Sequence, residues 1–516
     1  MRRLVVGIGV GIAVVAAAAV AVAVWRRPTV HHPNVVVVLW DTVRADHTSL
    51  YGYERPTTPH LDRLAASSRV YDRAYAPGMW TVPSHGSLFT GLPTSSHGAK
   101  VGWLWLDGHH WTVAEQFRAS GYATFAWSSN PYLSDQTNLL QGFDTVRYAW
   151  RGTEAERCAV ATAAKLLPED RSVEVAPGWV ASGHGDGWPK RLVAYKDAGP
   201  VLVASFLDWV DQRPAPEPFF AYLNLLEAHH PRIPSRAARD AVADPDTVAR
   251  ALATDGSLFR IMAAMEGRAS FSDDELAAIR ATYDAALWDL DAATATLIDG
   301  LAERGLLDDT IVVVTSDHGE NLGDHGMFDH RWSLHQSLVH VPLLIRYPAA
   351  VPPGRASAPV STGDLYGELV ALAGISAPNL DYPLHRLGAS ATVFSELEAP
   401  TPRLPEIRAA FPDLARDRWA RRFQAIFDGP WKYVRGSDGS AGLYDLDADP
   451  GERTDHHLDQ GEVAARLAGA LAAWERARPK YDPGQRTADD HPGNPLRADP
   501  TAADQLRQLG YTEEDP

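Results

Sequence analysis

Residues 35–40 read VVVVLW, an uninterrupted apolar run rich in β-branched side chains. Such a run predicts a strand covered on both faces, as in the middle of a parallel sheet. Tyr122–Ser128, Phe219–Asn224, Ile311–Thr315 and Val341–Tyr347 carry the same pattern. Between them the period changes to that of helices, at Leu61–Ser68 and Ala114–Ser120 and most clearly over Asp273–Leu301. There Ser272 and Glu275 form a capping box, and Leu276, Ile279, Tyr283, Leu287 and Leu290 follow at helical spacing. Strands alternating with helices predict an α/β fold, a layered and mostly parallel sheet flanked by helices, with ligands beyond the carboxyl ends of the strands.

Two stretches break the alternation. Residues 154–197 and 232–268 mix polarities and are rich in Gly, Pro and Ala, and they read as insertions at the sheet edge that either cover a site or elaborate the surface. Farther on, Phe423–Phe427, Lys432–Arg435 and Leu443–Asp445 read as short antiparallel strands, followed by an amphipathic helix over Val463–Arg476. The expected organisation is a main domain over residues 34–400 and a smaller C-terminal α+β subdomain over residues 405–511.

The N-terminus is of another kind. Arg2 and Arg3 precede Leu4–Trp25, which holds no charged residue, and Arg26 and Arg27 follow. As a helix this run spans ~33 Å at ~1.5 Å per residue, enough for a bilayer core of ~30 Å. The apolar core of a signal peptide is shorter, about 7–15 residues. Residues 1–27 therefore predict a transmembrane signal anchor with the body outside the cytoplasm. Ala21-Val22-Ala23 keeps open the alternative of cleavage and a secreted or periplasmic product.

Charge narrows the partners. The formal net charge is −17, and no Lys/Arg run opposes it, so nucleic acid is not an expected partner. The one cysteine, Cys158, excludes an intramolecular disulfide framework and a thiolate metal cluster.

Candidate chemistry lies at the strand ends. Asp41 follows VVVVLW directly, and Asp317 and His318 follow IVVVT in TSDHGEN. Singly, either aspartate reads as a helix cap. Together, on strands that end in one crevice, two carboxylates and an imidazole suit a divalent cation. Seven histidines, His85, His97, His229, His230, His318, His325 and His330, fall in turn-like segments beside strand ends, where they could bind metal, steady an oxyanion or protonate a leaving group. Thr81, in WTVPSHGSLFTG, reads by itself as part of a strand-to-helix turn.

Four ordered motifs change that reading: NVVVVLWDTVRADHTSLYGYERPTTPHLDRLA, APGMWTVPSHGSLFTGLPTSSHG, LLEAHHP and TSDHGENLGDHGMFDH. With GLYDLDADPGE and the closing QLRQLGY, they resemble the sulfatase family of the alkaline phosphatase superfamily from Asn34 to Tyr511. The resemblance implies an alkaline-phosphatase-like fold and metal-dependent hydrolysis of an anionic phosphate or sulfate ester. It implies Asp41, Asp317 and His318 as metal ligands, with Thr81 as nucleophile and further ligand. It also implies His229 near the leaving group, His325 as a further catalytic residue, and His85, Lys100 and His330 at the substrate. The expected cofactor is one divalent ion (Ca, Mn or Zn), and His229, His230, His325 and Glu227 are candidates for a second.

Three departures matter. Family sulfatases carry Cys or Ser at the nucleophile, matured to formylglycine within Cys/Ser-x-Pro-Ser-Arg, whereas here Thr81 and His85 occupy the ends of that motif. Threonine cannot yield the aldehyde, and threonine is the nucleophile of related phosphatases, phosphodiesterases and phosphoethanolamine transferases. Thr42 stands where calcium sulfatases have a second aspartate, and Glu227 where an aspartate often precedes the His229 position. The expected activity is thus phosphoryl chemistry through Thr81. The alternatives are a transferase passing a phospho-group to an envelope glycan or lipid, and a silent anion-binding member.

Overall fold

The computed structural model describes residues 32–165, 198–214, 217–254, 256, 258–398, 407–409, 411–413 and 418–482. The apolar run Leu4–Trp25, residues 166–197 of the first insertion and the closing QLRQLGY lie outside the described residues. Among the described residues no helix is long and apolar enough to cross a membrane.

The VVVVLW run forms β1 (Asn34–Trp40), with every residue buried. The strands β2 (Arg69–Tyr71), β3 (Ala123–Ser128), β4 (Thr145–Tyr148), β5 (Phe219–Leu225), β6 (Thr310–Ser316), β7 (Leu343–Arg346) and β8 (Gly354–Ala356) complete an eight-stranded sheet. Its order is β8-β2-β7-β6-β1-β5-β3-β4. From β6 to β4 neighbouring strands run parallel, and β1 lies between β5 and β6. Burying each β-branched side chain of these strands contributes roughly 1.5–3 kcal/mol, which explains why the least polar run takes the central position.

One predicted strand has the opposite sense. β7 is antiparallel to both β6 and β2. A parallel return needs a crossover of about a dozen residues or more, usually through a helix. Between β6 and β7 the chain offers a small hairpin, helical turns no longer than Gln336–Val339 and the two-residue strand His340–Val341, with no crossover helix, and it returns antiparallel.

The helices that matter for the site are α1 (Thr81–Thr90), α2 (Gly199–Gln212), α3 (Arg236–Val242), α4 (Pro245–Ala253), α5 (Leu258–Met265) and α6 (Asp273–Glu303). The predicted capping box of Ser272 and Glu275 opens α6, with both reciprocal hydrogen bonds present. On its buried face the Trp40 indole donates to Thr294 Oγ1 at 3.0 Å, which fixes α6 against the end of β1.

Register then places the chemistry. Trp40 pairs with Leu225 on one side and with Ser316 on the other. The next residues, Asp41 and Asp317, therefore leave adjacent strand ends at the same edge.

A second sheet is antiparallel, in the order β9 (Thr392–Leu397), β10 (Phe423–Asp428), β11 (Trp431–Gly436) and β12 (Ala441–Asp445). Helix α7 (Gly461–Ala477) covers it, with Leu467 and Leu471 packed on Ile426, Tyr433 and Leu443. Three of these strands match the sequence pattern. The fourth, β9, comes before residue 405 and ties the C-terminal sheet to the chain preceding it.

A buried ion pair fastens this sheet to the chain after β6. The Lys432 ammonium donates to Glu452 and to the Leu334 carbonyl, and the other Glu452 oxygen accepts from the Gln336 amide at 2.7 Å. Both side chains are almost wholly inaccessible. Removing one partner leaves a buried charge uncompensated, at a cost of about 3–5 kcal/mol. Lys432→Met should lower unfolding free energy in urea by about that much, and Lys432→Met with Glu452→Leu by clearly less. Equal losses in the single and double variants would show that the pair acts only through packing.

Candidate active site

At the shared edge, Asp41, Asp317 and His318 are all buried, and their ligand atoms lie within 4.8 Å of one another. Asp41 Oδ2 accepts from Asn130 Nδ2 at 2.9 Å and from Asn224 Nδ2 at 3.4 Å. Asp317 Oδ1 accepts from the amides of Thr42 (3.3 Å) and His318 (2.9 Å). His318 Nδ1 lies 2.9 Å from the Gly319 carbonyl. A carbonyl only accepts, so Nδ1 carries the proton and Nε2 has a lone pair.

The remaining atoms decide what the trio is for. Asp41 Oδ1, Asp317 Oδ2, His318 Nε2 and Thr42 Oγ1 are buried with no hydrogen-bond partner among the described residues. His318 Nε2 and Asp317 Oδ2 lie 3.3 Å apart, yet neither makes a hydrogen bond. Native proteins seldom leave such atoms unpaired. Two carboxylate oxygens and an imidazole lone pair, with the other histidine nitrogen donating to a carbonyl, form the donor set of a divalent-cation site. The residues present fit the ion that the motifs imply.

Electrostatics agree. Burial, then the nearby Asp317 charge, pushes the Asp41 carboxyl up to about 7, and burial pushes Asp317 up to about 7. Burial and the neighbouring His330 lower His318 to about 4, keeping it neutral. A cation between the two carboxylates would reverse the balance for both.

The backbone around the trio is tightly held. Thr42 sits at φ 62, a left-handed conformation that a β-branched residue rarely adopts. The Tyr283 hydroxyl on α6 donates to its carbonyl at 2.7 Å, while its amide bonds Asp317. Gly319 is required by close approach, since a Cβ there would lie 2.0 Å from the Ser337 carbonyl oxygen.

Thr81 begins α1, is fully buried, and its Oγ1 accepts from Asn130 Nδ2 at 3.1 Å. One amide thus bridges the hydroxyl and Asp41. The Ser84 hydroxyl donates to the Asp317 carbonyl at 2.6 Å, which pins the start of α1 against the end of β6. The helix N-terminus favours negative charge at Thr81.

Of the other predicted residues, the structure brings some here and not others. His229 is buried, with Nδ1 2.6 Å from the His230 carbonyl, and its ring centroid lies 5.3 Å from that of His330. His330 lies 4.5 Å from His318, ring to ring, and contacts Glu320 and Asp329. Burial alone would lower His330, but these two carboxylates outweigh it and hold it above its ordinary value.

His85 has another role than the expected substrate contact. Its Nδ1 donates to the Thr81 carbonyl at 2.7 Å, so Nε2 accepts from the Tyr222 hydroxyl at 2.6 Å. With both nitrogens occupied and burial lowering it to about 3, it is a neutral brace behind Thr81. Lys100 is paired with Glu398 at 2.8 Å. His325 stacks on His335 at 3.9 Å and groups with His335 and Glu452. Among the described residues no ligand group gathers the four candidates for a second ion; Glu227, for one, accepts from the Gly199 amide at 2.8 Å.

Asn130, Tyr222, Glu320 and Asp329 were not singled out from the sequence. Asn130 comes two residues after β3, so the strand-end rule that singled out Asp41 would have found it.

A mostly parallel sheet carrying this constellation at its strand ends defines an α/β ester hydrolase of alkaline-phosphatase-like fold. The chain belongs to the sulfatase family, whose model matches residues 33–375. It is 26% identical over 462 residues to arylsulfatase K of Mus musculus, covering 84% of this chain and 78% of that protein. It is 27% identical over 364 residues to arylsulfatase A of Homo sapiens, covering 67% and 65%. Its fold matches the phosphonate monoester hydrolase of Agrobacterium radiobacter with a TM-score of 0.63 and 22% identity, covering 86% and 95%. Enzymes of the family typically use a divalent metal.

The raised carboxyls make a pH prediction. In chelator, Asp317 titrates near 7 in the folded protein and near 4 unfolded, so the folded state binds more protons between those values. Its contribution to stability therefore declines as pH rises from about 4 to 7 and stays unfavourable above. Asp317→Asn should be more stable than the wild type at pH 7.5 in chelator, with the gap closing towards pH 4. Parallel pH profiles of unfolding free energy for the two proteins would contradict this assignment.

Proposed function

We propose that this sulfatase-family hydrolase cleaves phosphate esters by covalent catalysis through Thr81, without formylglycine. The observation that carries the reading is the Asn130 amide shared between Thr81 Oγ1 and Asp41 Oδ2, which sets a hydroxyl beside the candidate ion site at the start of a helix. Asp41, Asp317 and His318 would hold a divalent ion, with Thr81 as the further ligand. When bound, that ion supplies positive charge that favours ionisation of a neighbouring hydroxyl and offsets charge on a nonbridging oxygen.

Thr81 Oγ, its proton passed to solvent, attacks phosphorus. The new O–P bond forms as the bond to the leaving oxygen breaks, and His229 gives that oxygen a proton from Nε2. His229 is oriented for this by the bond from Nδ1 to the His230 carbonyl. Water then hydrolyses the threonyl phosphate, with His229 now the base, and restores the free hydroxyl. His330, held above its ordinary pKa by Asp329 and Glu320, steadies the anionic oxygens. His85 and Tyr222 hold the Thr81 backbone from behind.

Threonine favours phosphoryl over sulfuryl transfer here, because the family's sulfate-ester route begins from an aldehyde that this side chain cannot form. The uncharged run Leu4–Trp25 supports a membrane-anchored protein with its catalytic body outside the cytoplasm.

Assays of the metal-reconstituted protein on aryl phosphate, aryl phosphodiester and aryl sulfate test the reading. Thr81→Ala should lower phosphoester turnover by roughly 10³-fold or more, as expected for removal of a nucleophile, while Thr81→Ser keeps measurable activity. Phosphoester turnover by Thr81→Ala within tenfold of wild type would remove Thr81 from the role.

A further inference from the structure

The second predicted insertion, residues 232–268, folds as the three short helices α3, α4 and α5. α4 packs on α6, and α5 packs near the Phe328–Asp329 strand. A cavity of about 130 Å³ is lined by residues of α4, α5 and α6 and of the chain around Phe328–Asp329. Its lining includes His229, which protonates the leaving oxygen in the proposed reaction, and His330. Leu252, Ile261, Phe271, Ile279, Leu322 and Phe328 supply its apolar wall.

The charged groups along the cavity pair among themselves. Arg232 bonds Glu320 at 3.0 Å, and Arg331 lies 3.4 Å from Asp329. Among the described residues each arginine of the lining is thus matched by a carboxylate, and the apolar part of the lining offers aliphatic and aromatic surface.

We propose that this cavity receives the leaving group of the ester and selects an aryl or short alkyl alcohol over a sugar. The inference rests on the reading of the site as an esterase with His229 at the leaving oxygen. A sugar would lose the hydration of several hydroxyls against a wall that cannot hydrogen-bond them. An apolar cavity of ~150 Å³ is known to hold a benzene ring, so the volume here suits a single ring or a few methylenes. The insertion thus sets leaving-group specificity, and the sheet edge supplies the chemistry.

The test compares phenyl phosphate with glucose 6-phosphate, using the full chain reconstituted with metal. Two variants on α4 are made: Leu252→Asp, which puts charge on the apolar wall, and Ala251→Phe, which fills the space. Neither residue is fully buried, so both variants should fold. The wild type should prefer phenyl phosphate, and each variant should lower the phenyl-to-glucose ratio of kcat/KM by at least tenfold, the low end of what apolar pockets discriminate. Equal losses on both esters, or an unchanged ratio in both variants, would overturn the proposal.

Equilibrium dialysis of 4-nitrophenol against the same three proteins separates this claim from the proposed reaction, because it needs no turnover. Binding by wild type that weakens at least tenfold in the variants supports the cavity even if no ester is cleaved. Binding that is absent, or the same in all three proteins, overturns it.

Discussion

Two carboxylates buried side by side at the ends of β1 and β6 are the constraint on which the rest of the site depends. Their separation from water and their closeness to each other's charge are unfavourable unless something positive lies between them. Among the described residues no Lys or Arg does so: Asp41 is met by two neutral amides, and Asp317 by backbone N–H groups and the neutral His318. The burial that makes the arrangement costly also makes it selective, since a dry cluster of hard oxygens and one imidazole favours a divalent ion over a monovalent one. The left-handed Thr42, braced by Tyr283 on α6, shows how much structure is committed to holding the oxygens in place.

From that constraint the placement of Thr81 follows. The start of α1 is fixed to the end of β6 by Ser84, and Asn130 connects the threonine hydroxyl to Asp41. His85 stands where the family's maturation motif has an arginine, and here it is a neutral support for the Thr81 backbone. The substitutions at 81 and 85 are thus consistent with each other: a side chain that needs no maturation, and no cation kept for it. Helices α4 and α5 of the second insertion add apolar side chains to a cavity that also reaches His229 and His330.

Much of this was legible in the sequence. Continuous β-branched runs identified the central strands, and the strand-end rule picked out Asp41, Asp317 and His318 because a buried strand exposes chemistry only where it stops. The capping box located α6 to within a few residues of its observed end. Strand direction was less visible: an apolar run looks alike in both senses, and only the lack of a crossover helix before Leu343 decides it. The strand Thr392–Leu397, TVFSEL, lies before the expected subdomain and lacks a continuous apolar run to mark it. Side-chain partners were the least accessible. Lys100, His85 and His325 all lie in suggestive motifs, yet Lys100 and His85 meet Glu398 and Tyr222 from segments distant in sequence, and His325 stacks on His335 across a turn of the chain. Asn130 lies within reach of the strand-end rule, but its bridge between Thr81 and Asp41 is visible only in three dimensions.

The most direct test of the central claim is the divalent-metal content of the purified protein by elemental analysis, beside Asp41→Asn and Asp317→Asn with folding checked by circular dichroism. The account predicts close to one equivalent of a divalent ion in the wild type and strong depletion in both folded variants. A folded wild type that binds no divalent ion after exposure to calcium, manganese and zinc, or variants that retain a full equivalent, would contradict it.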